Sequence, residues 1–518
     1  MPGLHTIDYL VLGVYALLVI AVCIKVTRRS PDSDELFLAG RSLGPAVIGL
    51  SLFASNISST TLIGLPGAAW ETGISVANYE WMAGLILIFS AIFVVPVFIR
   101  RGLTTVPELL ELRFDARLRK YLSGASVFLS IVLDTAGSIY AGSLVLMLFI
   151  PGLDLVWTCV AMAIFAGIYT AAGGLRAVAY TDVIQAIILL LGSFILSILV
   201  FNHFDFSWAS VKAQLDPDKL SLIRPMDDPA LPWLGTLIGL PILGFYYWTM
   251  NQYVAQRLLG ARDADAAGKG ALLAAALKLL PLFFMVLPGA MAAAIFTDLE
   301  RADTVFPRLI GEFAPPGLAG VLIAGLMAAI MSSVDSALNS ASTLIMVDFV
   351  KPRRPAMTHA QVARAGRYVT LLLMVFAAAW APMIDNFPGL FAYLQQAFSY
   401  VASPLVAVFL LGVFGRRLGA EAALRGLISG HIFSLLLFVG AQLGWHDIHF
   451  TLVAGLLFVV TGVLALIWQL LLPGGSYQPD STQLSVVDPE AHHSVSASIK
   501  RGALAITGIT AMIVIAFW

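Results

Sequence analysis

Residues 51–70 read SLFASNISSTTLIGLPGAAW. Twenty residues of this hydrophobicity are long enough to cross a bilayer as a helix. Yet Ser55, Asn56, Ser58, Ser59, Thr60 and Thr61 crowd the middle, and Gly64, Pro66 and Gly67 follow. Proline removes a backbone donor and crowds the preceding turn. Carbonyls freed at membrane depth must find protein, water or an ion. The stretch therefore reads as a spanning helix interrupted halfway. A second such stretch, LIGLPILGFYYWTMNQY over residues 237–253, has Pro241 and Gly244 mid-span. Two ordinary proline kinks are the plainer alternative. Paired breaks in corresponding halves of a chain are the mark of secondary transporters built from inverted repeats.

The chain around these stretches is apolar throughout. Of 518 residues, 59% are hydrophobic and 12% charged, and the mean hydropathy is +0.89. Soluble domains carry about 25% charged residues, so an all-α polytopic membrane protein is expected. A net charge of −1 gives no reason to expect nucleic-acid binding. The two cysteines, Cys23 and Cys159, fall in separate apolar segments, which argues against a structural disulfide. The eight histidines are scattered, with no metal-ligand spacing. Walker, dinucleotide and kinase motifs are missing, and no nucleophile–base pair stands out, so an enzyme is not expected. The basic residues Lys25, Arg28 and Arg29 follow the first apolar run, so it reads as a retained helix and not a signal peptide.

Fourteen spanning segments are expected, near 7–27, 44–70, 78–100, 121–150, 155–172, 180–202, 230–254, 270–296, 315–349, 366–385, 387–414, 421–442, 449–472 and 501–518. With the N-terminus outside, twenty-four of the 30 basic residues fall in inner loops, as the positive-inside rule requires. Arg176 and Arg257 are assigned to inner loops in this scheme. The organisation predicted is an extra helix and inner loop (1–43), a first five-helix repeat (44–202), an outer loop (203–229), a second repeat (230–414) and peripheral C-terminal helices (415–518). The last region contains a polar inner loop at about 473–500.

Ionisable residues inside a membrane helix cost about 2.5–3.5 kcal/mol each on insertion scales. Glu80, Asp134, Asp182, Lys278 and Asp335 all fall within predicted spans, so most should be paired or wet. Residues 322–346, LIAGLMAAIMSSVDSALNSASTLIM, set Ser332, Ser333, Asp335 and Ser336 in an oily helix. Hard cations prefer oxygen ligands, and hydroxyls at i and i+4 share a helix face. Small-residue packing with serines bonded back to carbonyls explains the serines too, but it explains Asp335 poorly.

Several stretches together resemble the sodium/solute symporters, and within them the sodium–glucose/galactose branch: FASNISSTTLIGLPG, ANYEWMAG, GGLRAVAYTDVIQ, GFYYWTMNQYVAQR, LKLLPLFFMVLPG, AAIMSSVDSALNSASTLIMVDF and YLQQAFSYVASPLVAVFLLGVF. They occur in the family's order over about residues 5–470. The resemblance implies the inverted-repeat fold of the leucine transporter, a 5+5 core with discontinuous helices, and alternating access. It implies a sodium site on the carbonyls of Ala54, Ile57 and Ala329 and the hydroxyls of Ser332 and Ser333. A second Na+ would lie near Asp182, Ser333, Asp335 and Ser336, unless Asp335 is protonated and binds none.

The same resemblance places substrate at Glu80, Lys278 and Gln395, with Asn56, Thr61 and Trp248 nearby, and Asp134, as an ionisable residue within a span, is a further candidate contact. Tyr247 would be the aromatic beneath the substrate and an inner gate. Leu65, Tyr79 and Phe391 would form the outer gate. Thr61 and Gly244 depart from the longer side chains usual in glucose and galactose members. The expectation is sodium-driven import of a hexose-like sugar or polyol across the cytoplasmic membrane, with Na+, a small solute and the lipid bilayer as partners. The same fold carrying inositol, sialic acid, a monocarboxylate or an amino acid is the alternative, and a membrane solute sensor is a further one. Which solute, the Na+ count and the oligomeric state are not legible from the residues.

Overall fold

The computed structural model describes residues 5–27, 38–57, 59–150, 152–387, 389–415, 418–472 and 495–517. Side chains at 16, 19–27, 59–60, 168–181, 184 and 185 are outside that description. The expected inner-loop residues Lys25, Arg28, Arg29 and Arg176, and most of the loop at 473–500, therefore lie outside it. Among the described residues the chain is helical, with two isolated β-bridges and no strand.

Among the described residues, nine helices are long and apolar enough to cross a membrane, or ten if one bent pair is counted as a span. That count covers the described residues only and leaves the expected fourteen untested, but two features of the expected spans differ. Some predicted spans are broken into shorter pieces. Residues 155–172 and 180–202, expected as two spans, lie in one continuous helical element, Leu155–Asn202. Laid straight, 48 residues would extend about 72 Å at 1.5 Å per residue, more than twice the ~30 Å hydrocarbon core. Its two apolar ends, Leu155–Gly167 and Ala186–Asn202, sit where the two spans were expected. Helical backbone joins them in place of the expected loop.

Eight elements position the site. They are α1 (Pro45–Asn56), α2 (Ser59–Thr72), α3 (Ala77–Phe93), α4 (Leu155–Asn202), α5 (Gln252–Leu259), α6 (Ala264–Leu277), α7 (Leu318–Leu344) and α8 (Leu390–Phe414). Pro45 opens α1 at a position where its missing N–H costs nothing. Asp263 caps α6, its carboxylate accepting from the Ala266 N–H at 2.7 Å. α4 packs along α7 and α1, and α6 packs on α1 and α3.

The predicted interruption of residues 44–70 is present. α1 ends at Asn56, Ile57 has φ −72° and ψ 60°, and the two halves bend by 55°. The second interruption differs from expectation. Pro241 opens a short helix, Leu240–Phe245, and Gly244 lies inside it. The chain leaves helical geometry at Asn251, φ −65° and ψ 122°, after a π-turn over Tyr246–Met250. Pro241 follows closely on a π-turn over Gly235–Gly239, and the backbone stays helical through it, so the break falls further along. The Asn251 side chain caps the continuing α5 by accepting from the Tyr253 N–H at 3.2 Å.

Small residues let the layers meet. A Cβ built on Gly289 would lie 2.5 Å from the Pro66 carbonyl oxygen, and one on Gly67 would lie 2.5 Å from that of Ala302. The outer half of the broken helix thus seats backbone to backbone on its neighbours.

Candidate functional site

The break in α1–α2 opens onto an interior cavity with about 110 Å³ open to the centres of water molecules. That is several times what one water needs, about 10–15 Å³. Of the residues expected to contact solute, Asn56, Thr61, Glu80, Asp134, Tyr247, Trp248 and Gln395 line it. Tyr79 and Phe391 also line it, and their rings meet edge to face at 5.0 Å. At the opposite side Tyr247 packs edge-on against Tyr253, Phe398 and Trp248. Aromatic side chains thus make up much of the cavity wall.

Two expected residues are placed elsewhere. Leu65 is fully buried and is packed into the main apolar core. It is not among the residues that line the cavity. Lys278 is also fully buried and does not line the cavity. Its ammonium donates to Glu80 Oε2 and sits 4.9 Å above the Trp248 ring. A buried ammonium next to a carboxylate and an aromatic face has its charge compensated twice. Lys278 thereby holds Glu80, which itself lines the cavity and has further acceptor positions.

The polar lining is only partly satisfied. The Oδ1 atom of Asn56 is buried and has no hydrogen-bond partner among the described residues. Thr61 Oγ1 donates to the Asn56 carbonyl at 2.7 Å, bridging the break. Asp134 has one described partner, the Asn251 carboxamide, at 3.4 Å. Donors and acceptors thus converge on a space walled otherwise by aromatic and aliphatic groups, as small-molecule sites generally do.

Ser333 lines the same cavity as Ser55 and Asn56, so α7 faces the break in α1–α2. The last four carbonyls of a helix lack intrahelical partners, and at the end of α1 that turn contains Ala54, with Ile57 just beyond. Across from them, Ser333 Oγ donates to the Ala329 carbonyl at 2.8 Å. Carbonyl and hydroxyl oxygens gathered here are the ligand type that a hard monovalent cation takes. Ser332 points elsewhere: its hydroxyl donates to Asp182 Oδ1.

Asp182 lies in a cluster that sequence reasoning only half found. Arg257 Nη2 is 2.9 Å from Asp182 Oδ2 and 2.6 Å from Ser336 Oγ. Arg257 Nε donates to Ser51 at 2.7 Å, and Ser51 and Ser55 both donate to Asp182, at 2.6 and 3.1 Å. Arg257, expected in an inner loop, is instead fully buried on α5. The carboxylate expected to face a second sodium ion therefore faces a guanidinium. Asp335 is buried one residue before Ser336. Arg257 was missed because a basic residue after an apolar run reads as a loop. Its place four residues after Tyr253, on the face its guanidinium shares with the Tyr253 carbonyl (2.6 Å), was the available signal.

Comparison with known proteins agrees with this architecture. Residues 36–430 match the Sodium:solute symporter family, and the chain belongs to that family. It is 34% identical over 466 residues to the Sodium/glucose cotransporter of Vibrio parahaemolyticus, covering 84% of this chain and 86% of that one. It is 33% identical to Sodium/glucose cotransporter 4 of Mus musculus, covering 84% and 69%. It is 32% identical to Sodium/glucose cotransporter 1 of Ovis aries, covering 83% and 71%. In fold it is similar to a substrate-bound, outward-open Na+-coupled sialic acid symporter. That match has a TM-score of 0.77 and 23% identity over 89% of this chain and 98% of the other. The protein is a multi-pass membrane transporter, a sodium-coupled solute symporter, and Na+ is its coupling ion.

Proposed function

We propose that the chain imports a hexose-like sugar or polyol together with Na+ across the cytoplasmic membrane, by alternating access within a 5+5 inverted-repeat core. The observation that carries the reading is the cavity lining. Glu80, Gln395 and the Asn56 carboxamide oxygen, which has no partner among the described residues, present acceptors and donors between two aromatic closures. Sugar hydroxyls are donors and acceptors at once and match such a mixture. The apolar C–H face of a pyranose suits the Tyr247 ring. The sodium/glucose cotransporters among its relatives support the same substrate class.

Na+ binds between the end of α1 and Ser333 and braces the broken helix against α7, which shapes the Asn56 end of the cavity. Substrate then seats on Glu80 and Gln395 while Tyr79 and Phe391 close above it. Loss of Na+ to the inside frees α1 from α7, and solute leaves past Tyr247. Below the cavity, the Arg257–Asp182 cluster ties α1, α4, α5 and α7 together and must loosen for the inner path to open. One Na+ entering down about 100 mV supplies roughly 2.3 kcal/mol, and a tenfold gradient adds roughly 1.4 kcal/mol.

The test is uptake into proteoliposomes of purified protein, with a panel of labelled hexoses and polyols and an inward Na+ gradient. Concentrative uptake of at least one that collapses when choline replaces Na+ supports the reading. Sodium-driven uptake of only an amino acid or a monocarboxylate from a parallel panel overturns it.

A further inference from the structure

The cavity's ionisable groups are not evenly paired among the described residues. Its described lining contains two carboxylates, Glu80 and Asp134, and no lysine, arginine or histidine. Lys278 neutralises Glu80 from behind. Arg257 is committed to Asp182. Asp134 has only the neutral Asn251 carboxamide among the described residues, at the long distance of 3.4 Å. An ionised carboxylate offers about four acceptor positions, so most of those on Asp134 remain for whatever fills the cavity. The π-helical turn Ser130–Thr135, which carries Asp134, has the irregular backbone often found where a side chain is aimed at a functional site.

We infer that Asp134 sets the charge selectivity of this cavity: it accepts from a donor group of the substrate, favours an ammonium at that place, and rejects substrates that carry a carboxylate. This rests on the sugar reading above and names the class within it, neutral and amino sugars against acid sugars. A carboxylate ligand meets uncompensated like charge in a poorly screened space, where Coulomb interactions over several ångströms remain large. A neutral hexose gives Asp134 a hydroxyl donor, and a hexosamine gives it a charge-assisted one, roughly twice as strong. Bound Na+ is common to every substrate and cancels from the comparison.

The experiment is competition against Na+-driven uptake of a labelled neutral hexose in proteoliposomes, using the matching hexosamine and hexuronate as unlabelled competitors. In the unaltered protein the hexosamine competes best and the hexuronate worst. Asp134→Asn shrinks the ratio of their inhibition constants by about tenfold or more, the size expected for one removed charge at this range. Asp134→Glu, which keeps the charge, preserves the order, and Asp134→Ser supplies a second neutral cavity should the amide variant fail to fold. A ratio unchanged in the neutral variants, with hexose uptake intact in the unaltered protein, overturns the inference and leaves the sugar reading standing. Absence of any Na+-dependent hexose uptake in the unaltered protein overturns the sugar reading, and the inference falls with it.

Discussion

Arg257 Nη2 lies 2.9 Å from Asp182 Oδ2, and both side chains are almost fully removed from solvent. Three serines, Ser51, Ser55 and Ser332, donate to the same carboxylate. Such a pair is weak evidence of net stability, but breaking it from one side strands a buried charge. Arg257→Ala is therefore expected to destabilise the protein by about 3–5 kcal/mol. The combined Asp182→Asn, Arg257→Gln variant should recover a large part of that. Thermal unfolding in detergent reads both, and equal damage in the single and double variants would show that the two residues are not coupled.

Glu80 and Lys278 form the other buried pair, and here one partner faces the cavity and the other does not. Glu80→Gln removes a charged acceptor whose hydrogen bonds are worth about 1.5–3 kcal/mol, so the apparent KM for solute should rise at least about tenfold. Lys278→Met should raise it as well, through misplacement of Glu80. The double variant should cost less than the sum of the singles, with a coupling of about 0.5–3 kcal/mol. Full additivity in uptake kinetics would mean that Lys278 acts on solute independently of Glu80.

Ser333 separates ion from solute. Its hydroxyl lies at the cavity edge opposite the α1 break. Ser333→Ala is expected to raise the Na+ concentration for half-maximal uptake by about tenfold, equivalent to about 1.4 kcal/mol. Solute affinity at saturating Na+ should change little, and Ser333→Thr should retain the original Na+ dependence. A solute KM that rises with Na+ affinity untouched would place Ser333 on the solute.

Gly289 tests the packing that holds the outer half of the broken helix. Its built Cβ lies 2.5 Å from the Pro66 carbonyl oxygen and 2.7 Å from Pro66 Cα, both backbone atoms that cannot rotate away. Gly289→Ala is expected to cost about 1–3 kcal/mol as overpacking and to lower maximal uptake by tilting α2. Gly124→Ala and Gly508→Ala, where a Cβ meets nothing within 4 Å, serve as controls. Full uptake in the Gly289 variant would show that the contact yields without cost.

Much of the site is legible along the chain because membrane physics makes polar residues conspicuous. Glu80, Asp134, Asp182, Lys278 and the Ser332–Ser336 cluster stand out as groups that lipid does not tolerate. The broken first span is legible from its own proline, glycines and hydroxyls. The second break is misplaced by a reading centred on Pro241, whereas the backbone turns at Asn251, whose side chain caps α5. Leu65 is expected at the gate by resemblance, and the packing places it in the main apolar core, outside the cavity lining.

What the residues determined alone is the solvent and the architecture class. The long apolar runs require lipid, and lipid requires backbones that satisfy themselves, which makes the chain helical. The tertiary structure alone decided which charges meet. Lys278 and Glu80 are 198 residues apart in sequence, and Arg257 and Asp182 are 75. Nothing local tells a lysine or an arginine which carboxylate it will neutralise. That choice comes from how the helices pack, and it leaves Asp134 as the cavity carboxyl with no ionic partner among the described residues.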